Sequence, residues 1–158
     1  MSLKAPPELI VFQQMADVPY NWSLGREGSL FLIALRDEKK FLGIKCPSCG
    51  KVYVPPRKVC GPCFTANSQW VEVGDEGVVT AFSVVNYRFT DPATGLPREV
   101  PYTFAFVRLD GADTKLCHKL AETDPARLKV GMRVKAVFAE QRTGNIEKDV
   151  IHFRAVQA

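Results

Sequence analysis

Four of the five cysteines in this chain form two C-x2-C pairs separated by ten residues. A short C-x2-C pair bends through a turn so that both sulfurs point to one place, and two pairs supply four thiolate ligands. The residues that favour such turns stand within or directly after the pairs, at Pro47, Gly50, Gly61 and Pro62. The spacing therefore predicts one structural Zn²⁺ ion. Its predicted ligands are Cys46, Cys49, Cys60 and Cys63.

Two other interpretations of these cysteines are weaker. Four unrelated buried thiols would not fall into two pairs flanked by glycine and proline. A redox C-x2-C motif of the thioredoxin kind stands alone at the start of a helix that follows a strand. Because four cysteines close the tetrahedral shell, no coordination position is left for water or substrate. We expect the metal to build structure and to perform no catalysis.

The remaining titratable side chains do not form a catalytic group. Cys117 lies in an alternating strand, and adjacent His118 is predicted to point to the opposite face together with Leu116 and Leu120. A plain strand thiol is therefore favoured over a nucleophile for Cys117, and a buried barrel histidine over a catalyst for His118. The sequence contains only two histidines and no paired carboxylate motif. It argues against an independent enzyme.

The elements that must position the zinc ligands can be divided into three segments. Residues 1–40 combine a proline-containing arm with a helical pattern over 21–40 that Ser23 or Ser29 could cap. Residues 41–68 are predicted to form the zinc ribbon, which begins with a strand over 41–45. Residues 69–158 change to a two-residue period that is typical of strands. We predict a mainly β chain in which a zinc ribbon precedes an OB-fold barrel.

The predicted strands lie near 69–73, 77–89, 102–109, 115–121, 132–140 and 150–156. In the last strand, Ile151, Phe153 and Ala155 are expected to face inward, and 124–128 is expected to form a short helical link. Strands near 77–89 and 102–109 are apolar on both sides, which suits strands covered on the outside by a helix, the ribbon or a partner. The connection over 88–101 holds three prolines. Both a surface loop and a stiff flap over a partner's active site remain open for it.

Bulk composition excludes some classes of protein. The net charge of the 158 residues is only +4, which is far below that of a dedicated nucleic-acid binder. No run of 18 apolar residues occurs, so no membrane span is expected. The first residues lack the apolar core of a signal peptide. We expect a cytoplasmic protein, in which reduced cysteines bind metal and do not form disulfides.

Several segments together resemble a known family. The ribbon segments are CPSCG at 46–50, PPR at 55–57 and CGPC at 60–63, and the barrel segments are PYTFAFVRLDG at 101–111 and DPARLKVGMRV at 124–134. They are similar to the acyl-CoA-associated proteins that join a rubredoxin-like zinc ribbon to an OB fold. The order of helix, ribbon and barrel carries this resemblance, because many zinc ribbons share the cysteine spacing alone.

The resemblance implies a function. Members of this family are non-catalytic partners of thiolase-like enzymes, where they stabilise the catalytic subunit and help to bind the coenzyme A thioester. The size and layout resemble the small subunit of thiolases such as benzoylsuccinyl-CoA thiolase of anaerobic toluene degradation. We therefore expect an auxiliary subunit in a complex with a thiolase-like catalytic subunit, with acyl-CoA as the ligand of that complex.

Basic side chains supply candidates for the phosphates of coenzyme A. Arg133, Lys135 and Arg154 lie on the last two strands, and Arg57 lies beside the ribbon. Guanidinium groups bind phosphate with two parallel hydrogen bonds. A solvated barrel face is the competing interpretation of the same residues.

A single-stranded nucleic-acid module is the alternative function, because ribbons and OB folds both bind single strands through basic, aromatic-lined grooves. Tyr87, Phe89 and Tyr102 are the candidate stacking residues. The aromatic side chains are expected to fall largely on inward positions, which together with the modest charge makes nucleic acid the less favoured partner.

Overall fold

The computed structural model describes residues 23–91 and 95–156. Within these residues, two helices and eight strands follow one another. They are α1 (Gly25–Glu38), β1 (Phe41–Lys45), β2 (Val52–Tyr53), β3 (Gln69–Val73), β4 (Glu76–Val85), β5 (Tyr102–Leu109), β6 (Leu116–Leu120), β7 (Arg133–Phe138), α2 (Ile146–Asp149) and β8 (Val150–Ala155). Neither helix among the described residues has the length and apolar character needed to cross a membrane.

Helix α1 begins and ends close to its predicted bounds. The Oγ atom of Ser23 accepts a hydrogen bond from the Gly25 N–H at 3.1 Å, and Lys39 ends the helix in the left-handed conformation with φ 57°. The predicted residues 21 and 22 lie outside the described part of the chain. The buried residues of α1 are Phe31, Ala34 and Leu35. Ala34 and Leu35 lie three and four positions after Phe31, so the three residues share the face of α1 that packs on the rest of the molecule.

The ribbon is built on a three-stranded antiparallel sheet in the order β2-β1-β3. Strand β1 pairs with β3 from Phe41↔Val73 to Lys45↔Gln69, and with β2 at Ile44↔Tyr53. Residues 69–73 were assigned from the sequence to the barrel segment. In the structure their backbone pairs with the strand that leads into the first cysteine pair, so β3 joins the ribbon sheet and leads the chain on to the barrel.

The five remaining strands close a barrel in the order β4-β5-β6-β8-β7, which confirms the predicted OB fold. All neighbours are antiparallel except β6 and β8, which are parallel. Strand β4 closes the barrel on β7, where Gly77 lies opposite Val134. A Cβ atom at position 77 would collide with the Arg108 carbonyl of β5, so the close approach of β4 to β5 requires glycine.

The structure corrects three details of the predicted barrel. A register shift between Val137 and Phe138 leaves Ile151 as an extra residue in β8, so its side chain is 47% exposed and does not face inward. Residues 124–128 form a turn and no helix, while the short helix α2 was not predicted. Strand β4 ends at Val85, four residues before its predicted end, because the chain there leaves the barrel for the connection to β5.

One hydrophobic core joins helix, ribbon and barrel. The Phe41 ring, from β1, lies 6.4 Å from the ring of Phe31 on α1, 5.6 Å from Phe138 on β7 and 6.4 Å from Phe153 on β8. The guanidinium group of Arg142 also donates to the carbonyl of Arg36 in the last turn of α1 and to that of Ala139. Packing around Phe41 thus fixes the ribbon to the barrel, and the Arg142 hydrogen bonds fix the end of α1.

Candidate metal centre and its surroundings

The two cysteine pairs lie on turns of the same design. In the first, the Cys46 N–H donates to the Lys51 carbonyl at 2.9 Å and the Gly50 N–H donates to the Cys46 carbonyl at 3.0 Å. In the second, the same two bonds connect Cys60 with Thr65 and with Phe64, both at 2.9 Å. The residue four positions after the first cysteine of each pair is left-handed, with φ 76° at Gly50 and φ 54° at Phe64. Each turn therefore directs two sulfurs to one point.

The four sulfurs fit a tetrahedral metal ion. The Sγ atoms of Cys46, Cys49, Cys60 and Cys63 all lie within 4.8 Å of one another. Those of Cys49 and Cys60 are 3.7 Å apart, which is far too long for a disulfide of about 2.05 Å. Zn–S bonds of about 2.3 Å in a regular tetrahedron place neighbouring sulfurs about 3.8 Å apart. Geometry and donor chemistry thus match a closed four-cysteine zinc site, as the spacing predicts.

The Tyr53 hydroxyl contacts the second cysteine pair. Its hydroxyl accepts a hydrogen bond from the Gly61 N–H at 3.2 Å and lies 3.2 Å from the sulfur of Cys60. The hydrogen bond from Tyr53 lowers the pKa of Cys60 to about 6, since it stabilises the thiolate. The hydrogen bond with Cys49 raises the pKa of Cys63 to about 12. The Tyr53 hydroxyl thus favours the thiolate form of Cys60, which is the form that binds a metal ion.

Burial differs between the ligands. Cys46 and Cys60 are buried in a small apolar cluster with Ile44, Tyr53 and Trp70, whereas Cys49 is exposed. On the exposed side, Lys45, Lys51 and Asp113 line an open cavity together with Cys49. Four thiolates around Zn²⁺ carry a net charge of −2, which these two ammonium groups partly offset. The site is closed to ligands but faces solvent at one sulfur.

Cys117 and His118 occupy opposite faces of β6. Cys117 is exposed, whereas His118 is buried and its Nε2 lies 2.7 Å from the Val150 carbonyl. Because a carbonyl only accepts hydrogen bonds, Nε2 must carry the proton in the neutral ring. Burial lowers the pKa of His118, which keeps the imidazole neutral. This is the satisfied barrel histidine that the alternation predicted.

The basic candidates differ in their surroundings. The guanidinium group of Arg133 contacts both carboxylate oxygens of Asp110 at 2.7 and 2.6 Å, and Glu76 at 3.2 Å. The Lys135 ammonium lies 3.3 Å from Glu76 and 3.5 Å from Asp75. The three carboxylates therefore offset the positive charges of Arg133 and Lys135.

The other two basic candidates lie apart from these carboxylates. Arg154 is the strand partner of Lys135 and lines a cavity with it, and no ion pair is found for Arg154 within residues 23–91 and 95–156. Arg57 is exposed on the ribbon, where its backbone carbonyl accepts a hydrogen bond from Asn67. Within the described residues, ion pairs are thus found for Arg133 and Lys135 and not for Arg154 or Arg57.

The connection between β4 and β5 is a braced hairpin. Arg98 lies over the rings of Phe89 and Tyr102, at 5.7 and 5.5 Å, and its guanidinium is 3.0 Å from Asp91. Backbone hydrogen bonds join Arg98 to Phe89 and Asp91 to Leu96, both at 2.8 Å. The residues on either side of 92–94 are thus held by one arginine. The sequence showed the prolines but not this arrangement.

Aromatic side chains also cover the outside of the barrel, which the sequence analysis did not expect. Along β5, the buried residues Thr103, Ala105 and Val107 alternate with Tyr102, Phe104 and Phe106, which lie on the outer face. Phe106 is 47% exposed. The long apolar run hid this alternation because both faces of the strand carry hydrophobic residues. The expectation that aromatic residues fall largely inward was therefore wrong for this strand.

Comparison with known proteins gives a consistent result. Residues 34–68 match the family model described as the rubredoxin-like zinc ribbon domain of ChsH2, and residues 70–139 match its C-terminal OB-fold domain. A DUF35 domain-containing scaffold protein of Methanocaldococcus jannaschii is 26% identical over 105 residues, which are 66% of this chain and 71% of that protein. Its counterpart in Methanothermobacter thermautotrophicus is 27% identical over 101 residues, which are 63% and 72% of the two chains.

Solved structures share the fold. A chain of the Ltp2-ChsH2(DUF35) aldolase superposes with a TM-score of 0.62 at 23% identity, covering 85% of this chain and 98% of that chain. A DUF35 family protein of unknown function from Sulfolobus solfataricus gives a TM-score of 0.59 at 24% identity, covering 83% and 84%. The two family matches together span more than half of the 158 residues. This chain therefore belongs to the ChsH2-type family, whose members join a rubredoxin-like zinc ribbon to a C-terminal OB fold.

Proposed function

We propose that this chain is a non-catalytic subunit of a thiolase- or aldolase-type acyl-CoA enzyme. The observation that carries the proposal is the match of ribbon and barrel to the two ChsH2 domains. It is supported by the superposition on a chain of the Ltp2-ChsH2(DUF35) aldolase and by relatives described as scaffold proteins. The zinc stabilises the fold, and the catalytic subunit supplies nucleophile and base.

The residues themselves support the same assignment. A closed four-cysteine site offers the substrate no coordination position. Cys117 is exposed, and its neighbour His118 is buried on the other face, so within the described residues these two groups do not form a nucleophile–base pair. Chemistry would then have to come from another chain.

Purification with a tagged chain from its native host tests this proposal. We expect one thiolase-fold enzyme in stoichiometric amount, and the complex rebuilt from the two purified proteins should cleave or form a carbon–carbon bond in an acyl-CoA. The isolated chain should show no turnover. Turnover by the isolated, zinc-loaded chain would overturn the non-catalytic assignment, and reconstitution failing with every thiolase-fold enzyme of the host would overturn the partner.

For the reaction itself, we propose thiolytic cleavage of benzoylsuccinyl-CoA, since the chain resembles the small subunit of that thiolase in size and layout. The measurement is consumption of benzoylsuccinyl-CoA and free coenzyme A by the reconstituted pair. Activity confined to another acyl-CoA would replace this substrate and leave the subunit role in place.

We further propose that basic side chains of this subunit contact the phosphates of coenzyme A. The candidates are Arg57, Arg133, Lys135 and Arg154. Arg154 is the strongest because Arg133 and Lys135 already contact carboxylates. The Arg154→Glu variant of the pair should raise KM at least about tenfold with kcat nearly unchanged, since phosphate contacts act equally in ground and transition states. Equal KM values in variant and wild type would remove Arg154 from the site.

Single-stranded nucleic acid is the second candidate ligand, and the outward aromatic residues of β5 favour it. Tyr102, Phe104 and Phe106 lie on the strand that corresponds to an OB binding face, where bases stack on aromatic rings. Fluorescence anisotropy with a labelled oligothymidine at physiological salt tests this function. Micromolar binding that Phe106→Ala abolishes would favour nucleic acid over the enzyme complex.

A further inference from the structure

The outer face of strands β4, β5 and β6 is an apolar surface. Strand pairing places Ala81, Phe106 and Cys117 in one row across the three strands. A second row contains Ser83, Phe104 and Lys119, and Val85 lies beside Tyr102. Two strand spacings make this face about 10 Å wide. We call it the β4–β6 face.

The β4–β6 face continues into a groove. Phe106 and Cys117 also line a cavity of about 480 Å³ that runs to Leu24, directly before α1, to Leu32 of α1 and to Pro55 and Pro56 of the ribbon. Apart from Lys115, the side chains that line this groove are apolar or a thiol. Leu24 is 56% exposed and Phe106 is 47% exposed. Helix, ribbon and barrel thus contribute to one continuous surface that the described residues leave uncovered.

Three basic side chains lie on or beside this surface. Arg108 is the next outward residue of β5 after Phe106, Lys119 lies opposite Phe104, and Lys115 lines the groove. A partner with an apolar centre and carboxylates around it would complement this pattern. Interfaces that hold a complex together have such an apolar core with a polar rim.

The apolar lining of the groove favours a protein partner over a nucleic acid. A nucleobase has polar edges, and placing it among leucine and proline side chains would cost about 1–3 kcal/mol for each unmatched polar group. Leucine, methionine or phenylalanine side chains of a protein fill such a groove without that cost. The +4 net charge also provides few phosphate contacts.

We infer that the β4–β6 face and its groove form the docking surface for the catalytic subunit, which contributes apolar side chains to the groove and carboxylates opposite Arg108, Lys115 and Lys119. This inference rests on the proposed function. Phe106 is the central anchor because it belongs to both the face and the groove. Aromatic side chains at such positions commonly dominate binding.

The experiment compares two substitutions at equally exposed positions. Phe106→Asp places a charge at the centre of the face, and Ile151→Asp places one on β8, where the side chain is also 47% exposed. The thiolase-fold subunit identified by co-purification is titrated with each zinc-loaded variant by calorimetry. We expect Phe106→Asp to weaken binding at least about 30-fold and Ile151→Asp less than about threefold. Circular dichroism and zinc content establish that both variants are folded.

A second measurement needs no substitution in the face. N-ethylmaleimide should modify Cys117 in the free zinc-loaded chain, and complex formation should protect it, as peptide mass spectrometry reports. If Phe106→Asp bound the catalytic subunit with wild-type affinity and Cys117 stayed reactive in the complex, the docking surface would be overturned. The proposed function would not be affected by that result. If the wild-type chain binds no thiolase-fold subunit, both the docking surface and the proposed function fail. Oligothymidine protecting Cys117 while the enzyme does not would also overturn the inference.

Discussion

Among single residues, Tyr53 has the most specific task, because its hydroxyl joins the Gly61 N–H to the sulfur of Cys60. Removing that hydroxyl leaves the four ligands in place but takes away a hydrogen bond that favours the Cys60 thiolate. We expect Tyr53→Phe to weaken zinc binding about 10–100-fold, as is usual for groups that support a metal ligand. Competition with a chromogenic chelator measures this affinity, and Tyr87→Phe is the control, since Tyr87 is exposed. Equal chelator competition in both variants would contradict the role of Tyr53.

The ligand set gives a second prediction at this scale. Wild-type protein should contain one zinc per chain by elemental analysis, and Cys63→Ser should contain far less. Cys117→Ser is the matched control, because the same substitution there should leave the zinc content unchanged. Iron in place of zinc in native protein would keep the site and correct the metal, since four thiolates bind both.

His118 predicts a pH dependence of stability. Burial lowers its pKa in the folded chain below the ordinary value of 6.5, so between these two values the unfolded chain binds a proton that the folded chain does not. The free energy of unfolding should therefore fall as the pH drops from about 7 through this window. Urea denaturation of His118→Gln should show a smaller fall than wild type, and the difference between the two separates His118 from metal loss. If the free energy of unfolding fell equally with pH in the two proteins, the role of His118 would be contradicted.

At the scale of elements, the connection from β7 to α2 depends on Asp149. This buried carboxylate accepts hydrogen bonds from the N–H groups of Thr143 and Gly144, at 2.6 and 2.7 Å. Asp149→Ala leaves both donors without a partner and should destabilise the fold by at least about 2 kcal/mol. Asp124→Ala removes a comparable but exposed hydrogen bond to the Ala126 N–H and should cost less than about 1 kcal/mol. Denaturant unfolding of both variants measures the contrast.

The elements also explain what the sequence could and could not predict. Cysteine spacing and strand alternation carry local information, so the zinc ribbon and the OB barrel were both predicted correctly. The β-bulge that turns Ile151 outward depends on pairing with β7, and the place of β3 in the ribbon sheet depends on β1. Neither partner is visible in a local pattern. The outward row of Phe104 and Phe106 was missed for a different reason, because a strand that is apolar on both faces has no visible period.

At the scale of the whole molecule, the isolated chain carries an apolar surface that a soluble monomer rarely exposes. We expect the chain alone to self-associate, and co-expression with its catalytic subunit to yield a soluble hetero-oligomer. Light scattering of the zinc-loaded chain at increasing concentration measures the self-association. Phe106→Asp should reduce it and Ile151→Asp should not. A monodisperse wild-type monomer at high concentration would argue against a permanent complex.

The shared aromatic core around Phe41 has a consequence for how this chain can be divided. The family matches separate ribbon from barrel between residues 68 and 70, yet Phe41 contacts Phe138 and Phe153 on the far side of that boundary. A barrel expressed without the first segment would expose both rings, and a ribbon expressed alone would lose the packing that holds its central strand. A chimera that combined the ribbon of this chain with the barrel of a distant homologue would need matching residues at the positions of Phe138 and Phe153. The two halves must therefore be engineered as a single unit.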